Sequence, residues 1–251
     1  MSGTDSAGVP WAGRHIENPA TPDDDGSAPP RLLEAIRRFR AREVGEADVV
    51  DALRESRLLV PLVAELGDSG VGAHGHRVDK SQELSIVRVE GPDGRTVQPA
   101  FTSVTSLGAW NRDARPVPAA APRVALAAVE ERTDVVVLDP TSATEFAVRR
   151  PALWAIARSL PWVPSYLDRE VLDAFLESAS PEPVVRELYL APGDPDARLA
   201  GPELVVRLSL EEGLDRQAID SLMARLGDRW NASEIIAERV DSLKVQLVAS
   251  A

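Results

Sequence analysis

An α+β fold with a mixed or antiparallel sheet and flanking helices is what this 251-residue sequence predicts, and three observations carry it. Strand-like residues flank Gly91-Pro92-Asp93-Gly94, a run with strong turn chemistry. Residues 184–247 read in the order β-β-α-β, a unit that packs its helix on one sheet face. Prolines interrupt the chain between Leu160 and Pro164 and mark a boundary. The predicted plan is a tail over 1–30, a larger domain over 31–160 and a smaller α+β domain over 165–251.

Residues 1–30 are rich in Gly, Pro, Asp and Ser and end in Pro29-Pro30. Such a composition cannot offset its ordering entropy by apolar burial, so a mobile tail is expected. Trp11 and Ile16 are its apolar anchors, suited to a groove of this chain or of a partner. Leu32, Leu33, Ile36 and Phe39 recur at helical spacing and define a first helix. A second, over 46–55, places Val49, Val50 and Leu53 on one face. Arg57 to Val63 has strand length, and Pro61 predicts an edge or a break there.

A glycine-rich polar loop covers 67–81. Leu84–Glu90 and Thr96–Phe101 are then expected as two strands joined by the Gly-Pro-Asp-Gly turn. A short helix over 104–110 leads into extended Pro116-Val117-Pro118, and Pro122 suits the first turn of a helix reaching Glu131. Thr133–Leu138 and Glu145–Val148 read as strands, and Pro151 starts a helix carrying Leu153, Trp154 and Ile156. Beyond the boundary, Ser165 is the expected cap of a helix to Glu177, with Asp168 as its acidic partner. Strands over 184–190 and 204–210, a helix over 215–226 and a final strand over 243–247 complete the chain.

Composition narrows function more than motifs do. The net charge is −12, and arginine carries nearly all the positive charge because Lys80 and Lys244 are the two lysines. An acidic surface repels a phosphate backbone. Arg37, Arg38, Arg40 and Arg42 come nearest to a basic stripe but spread around their helix, so no nucleic-acid partner is expected. The sequence has no cysteine, which excludes disulfides, thiolate metal sites and cysteine nucleophiles. No basic-then-apolar leader opens it, and no apolar run has the length to span a membrane. A cytoplasmic protein is expected.

The chemistry-bearing words are weak. Gly67-Asp68-Ser69-Gly70 echoes a serine-protease nucleophile, but the one upstream histidine is His15 in the tail. His74-Gly75-His76, near Asp68, Asp79 and Glu83, has the spacing of two imidazoles on one side of an extended segment. The glycines around it favour a solvated loop. Asp23-Asp24-Asp25-Gly26 lacks the ligand alternation and the closing Glu of a calcium loop. No GxxxxGK[ST] phosphate loop occurs, and no cofactor is expected. Trp110 and Trp154 stand at helical spacing beside Leu107, Leu153 and Ile156, so both are expected in the core, with a ligand-stacking wall as the alternative. Arg149 and Arg150 precede the Pro151 helix, where an anion is favoured.

Several words together identify a family resemblance. They are Phe101-Thr102-Ser103 running to Trp110, Arg115-Pro116-Val117-Pro118, Val136-Val137-Leu138-Asp139-Pro140 and Arg149-Arg150-Pro151-Ala152-Leu153-Trp154. Trp11-Ala12-Gly13-Arg14, Asn18-Pro19, Asp24-Asp25-Gly26-Ser27 and Arg57-Leu58-Leu59-Val60-Pro61 add to them. Over 10–157 the chain resembles the N-terminal domain of the SseB (enhanced serine sensitivity) family, in its actinobacterial form. That resemblance implies no catalytic residues, since the family name records a phenotype. The expected function is therefore a non-catalytic interaction or regulatory protein with a protein partner. A sensor of an amino acid or related metabolite is the alternative, and an enzyme of unrecognised type the third reading. Arg149, Trp154 and Trp11 are the candidate contacts, and a pocket lined by Arg149, Trp154 and Asp139 would favour the sensor.

Overall fold

The computed structural model describes residues 24–65 and 83–248. Helices α1 (Pro30–Arg40) and α2 (Glu46–Arg54) pack as a pair and bury Leu32, Ile36, Phe39, Val49, Val50 and Leu53. The stretch just before α1 is held rather than loose. Asp24 Oδ1 accepts from Arg57 at 2.6 Å, Ser27 O accepts from the same guanidinium at 2.7 Å, and Gly26 O accepts from Val104 N at 3.0 Å.

Strand β1 (Arg57–Glu65) lies in the middle of an antiparallel sheet, between β2 (Glu83–Ile86) and β5 (Arg115–Ala120). Pro61 thus occupies a central strand, contrary to the edge expected from sequence, and the register explains why it is tolerated. Leu59 exchanges both backbone bonds with Phe101, on the side away from β5. Pro61 has the same parity, and pairing with β2 begins only at Leu62. Its missing N–H therefore interrupts no ladder. Pro116 and Pro118, opposite Pro61 and Leu59, turn their nitrogens away from β1 in the same manner.

A second sheet has the order β3 (Val89–Glu90), β4 (Thr96–Ala100), β6 (Val135–Leu138), β7 (Phe146–Arg149), with β4 and β6 parallel and the other pairs antiparallel. The single strand expected over 84–90 is split. Glu83–Ile86 pairs with β1, while Val89–Glu90 forms the hairpin across the Gly-Pro-Asp-Gly turn. Alternation sorts the faces of this sheet. Ala100, Val136, Leu138, Phe146 and Val148 join the core of α1, α2, α4 (Ala121–Glu130) and α5 (Arg150–Ala157). Val97, Val135, Val137 and Ala147 face the other way, against Leu199. Helix α3 (Val104–Trp110) covers Leu59 and Phe101.

The C-terminal sheet has the order β10 (Leu243–Val248), β9 (Leu204–Leu210), β8 (Val185–Pro192). Its inner face packs on α6 (Arg169–Ala179), α7 (Arg216–Ala232) and α8 (Glu234–Arg239) around Phe175, Leu208, Leu222 and Trp230. Between α7 and β10 the chain forms a further helix, α8, capped by the Ser233 hydroxyl, for which no separate helix is expected from sequence. The cap of α6 is Asp168 and not Ser165, since Asp168 Oδ1 accepts from the backbone of Glu170 at 2.9 Å and Val171 at 3.4 Å. Glu182 ties α6 to α7. Hydrogen bonds from Arg225, joined by Arg229, hold its carboxyl at about 2, well below the usual carboxylate range.

Candidate interaction groove and the junction beside it

Arg149 ends β7, and alternation places it on the Val135 face, which the loop after β8 covers. Its side chain is 7% exposed, and both terminal nitrogens are engaged. Nη2 donates to Asp194 Oδ2 and to Gly201 O, each at 2.7 Å. Nη1 donates to Asp241 Oδ2 at 3.1 Å and to Ser242 Oγ at 3.4 Å. Arg95, in the turn between β3 and β4, grips the same Asp241 at 2.9 and 3.0 Å. Arg150 donates to the carbonyls of Ala237 and Val240. The arginine pair singled out for an anion at the α5 N-terminus thus binds acidic and carbonyl groups of this chain. These bonds join the larger core around α1, α2, α4 and α5 to the C-terminal sheet and its helices.

The arginines at the end of α1 are likewise committed. Arg37 pairs with Glu34 at 2.7 Å and Arg38 with Glu43 at 3.2 Å. Arg40 and Arg42 reach across to Asp196, and Arg40 also to the carbonyl of Glu145.

Asp139 is buried and holds Thr102 and Thr144, accepting from Thr102 N at 2.8 Å and from the two hydroxyls at 2.7 and 2.8 Å. Arg149, Trp154 and Asp139 therefore do not converge, and Arg149 and Trp154 line different cavities. Trp110 packs on Phe101, ring centroids 5.2 Å apart. Trp154, expected in the core, is 41% exposed, because α5 buries Ala152, Leu153 and Ile156 and turns residue 154 outward. Trp11, His74, His76 and the Gly67–Gly70 run lie outside the described residues.

Trp154 forms one wall of a surface groove of about 330 Å³. The connecting segment supplies Leu160, Pro161, Trp162 and Val163, with Leu160 50% and Val163 52% exposed. Asp168 and Arg239 close the far side as an ion pair at 3.0 Å. Arg158 stacks over the Trp154 ring at 5.0 Å. Among the described residues, neither Arg158 nor Glu238 on the opposite rim has an ion-pair partner. The groove combines apolar walls with charged ones, and Arg158 and Glu238 give it one charge of each sign without an ion-pair partner among the described residues.

Trp162 also lines a second, much smaller cavity of about 10 Å³ behind the groove, together with Glu46, Glu203 and Arg149. Burial, reinforced by the like charge of Glu203, pushes the Glu46 carboxyl up to about 7. Burial also raises Glu203, and it raises the Tyr166 phenol, whose O–H donates to Glu46 at 3.3 Å. No sequence signal marked these two glutamates among forty acidic residues.

Among the described residues no group of three or more His, Cys, Asp or Glu is arranged to hold a metal, and no helix is long and apolar enough to cross a membrane. The chain is an α+β protein with a charge-rimmed surface groove beside Trp154. Residues 32–155, just under half of it, match the family model described as SseB protein N-terminal domain. No curated protein and no solved structure matches the chain.

Proposed function

We propose that this chain is a non-catalytic interaction or regulatory protein of the cytoplasm, of the actinobacterial SseB type. Its partner would be a protein that seats an apolar side chain against Trp154. The observation that carries the reading is the exposure of Trp154, Leu160 and Val163 along one groove. Contiguous exposed apolar surface marks interaction sites, and tryptophan with arginine dominates the energetic centres of protein interfaces. The unpaired Arg158 and Glu238 fit a segment whose anchor is flanked by one acidic and one basic residue.

The test compares proteins retained from cell extract by the wild-type chain and by Trp154→Ala. A hot-spot tryptophan contributes about 2 kcal/mol, so one partner is expected to weaken by more than tenfold. Identical retention by both would overturn the reading. A dose-dependent rise in melting temperature with an amino acid, equal in both proteins, would turn it towards the metabolite sensor.

A further inference from the structure

The small cavity behind the groove is lined by two glutamates and by Arg149, whose hydrogen bonds go to neither of them. Glu46 is the first residue of α2, and Glu203 immediately precedes β9, so the pair spans the junction between the two cores. A space of about 10 Å³ admits at most one water. Among the described residues neither glutamate has an ion-pair partner. Tyr166 donates to Glu46, and the Asp241 backbone N–H donates to Glu203 at 2.6 Å. Arg149 draws both carboxyls down electrostatically, but its hydrogen bonds go to Asp194, Asp241, Ser242 and Gly201. The other groups facing Glu46 are Glu203 and Asp194; those facing Glu203 are Ser165 and Asp241, and Arg42 acts on Tyr166.

We propose that Glu46 and Glu203 share one proton across this junction and act as a pH-responsive latch between the two halves of the chain. Burial disfavours ionisation of both carboxyls, and the like charge of each adds to the cost for the other, so one carboxyl keeps its proton near neutral pH. Loss of that proton leaves two anions in the cavity, and the junction must admit water or part. The upward shift of Glu46, caused first by burial and then by the charge of Glu203, agrees with this arrangement, while Glu203 is raised chiefly by burial. The sign follows from linkage. A carboxyl raised in the folded state adds stability that is complete below its unfolded value and disappears as pH rises through its folded value, here about 7. Trp162 lines both the cavity and the groove, so the latch would also set the groove wall. That last step rests on the groove being the partner site; the shared proton does not.

The experiment is a carboxyl-carbon NMR titration of the intact chain. It is paired with hydrogen exchange of residues 160–166, corrected for intrinsic rates, from about pH 5 to about pH 8.5. The wild type is expected to show one glutamate titrating near neutrality and about a tenfold loss of protection over that range. Glu46→Gln is expected to remove the pH dependence, and Glu203→Gln to weaken it and bring the Glu46 titration down. Two carboxyls titrating in the ordinary range would overturn the proposal, as would variants whose protection falls like that of the wild type. Should one variant not fold, the wild-type titration and the other variant still decide. A null result for Trp154→Ala with the titration intact would remove the groove reading and leave the latch.

Discussion

At the scale of single residues, the junction depends on a close approach that only glycine permits. A Cβ on Gly193 would lie 2.2 Å from the Pro202 carbonyl oxygen, and its neighbour across the crossing, Gly201, would place one 2.8 Å from Gly193 O. Backbone cannot swing aside as a side-chain tip can, and the loop between these glycines is what carries Asp194 to Arg149. Gly193→Ala is expected to lower stability by about 1–3 kcal/mol through overpacking. Gly227 offers the opposite case, standing inside α7 with nothing within 4 Å of its would-be Cβ. Gly227→Ala is expected to raise stability by up to about 1 kcal/mol through helix propensity. Urea denaturation reads both, and shifts of the same sign would contradict the geometry.

At the scale of elements, periodicity located most helices and strands because their apolar faces repeat within a few residues. The reading failed where pairing is non-local. Nothing between Leu84 and Glu90 reveals that half the segment pairs with β1 and half with β4, since both halves are β-compatible. Pro61 predicted an edge because parity relative to Phe101 is visible only once the partner is known. The groove shows the same division. Trp154 and the break at Leu160–Pro164 were legible singly, while their juxtaposition with Asp168 and Arg239 is a product of packing. Helix α6 gives the quantitative consequence. Asp168 both caps it and pairs with Arg239 of α8, whereas Asp215 caps α7 through Ala218 N alone at 2.8 Å. Asp215→Ala should cost about 1 kcal/mol, and Asp168→Ala that amount plus up to about 1 kcal/mol for the partly buried ion pair. Equal losses in denaturant midpoints would mean that the Arg239 contact contributes nothing.

At the scale of the whole molecule, two apolar cores meet across a polar seam. One core gathers Phe39, Leu53, Leu138 and Phe146; the other gathers Phe175, Leu208, Leu222 and Trp230. Leu199 and Ala197 reach from the C-terminal side onto the central sheet, but the strongest ties are charged: Arg149 and Arg95 on Asp241, and Arg149 on Asp194. An interface of this kind is held by satisfied charges, so its strength depends on keeping every partner. Arg149→Ala would leave Asp194 without its guanidinium and Asp241 with Arg95 and the Ser242 hydroxyl. Removing one member of such a buried set costs about 3–5 kcal/mol, far above an exposed ion pair. Asp194 retains backbone donors from Leu199 at 2.8 Å and Arg198 at 3.2 Å, so its loop should keep its shape while the seam loosens. The expected outcome is selective. Calorimetry of Arg149→Ala should show the melting transition broadened or split, with hydrogen exchange rising first along 194–203 and 240–243. A lower melting temperature with one sharp transition and uniform exchange would show instead that the two cores unfold as a single unit and that Arg149 stabilises both alike.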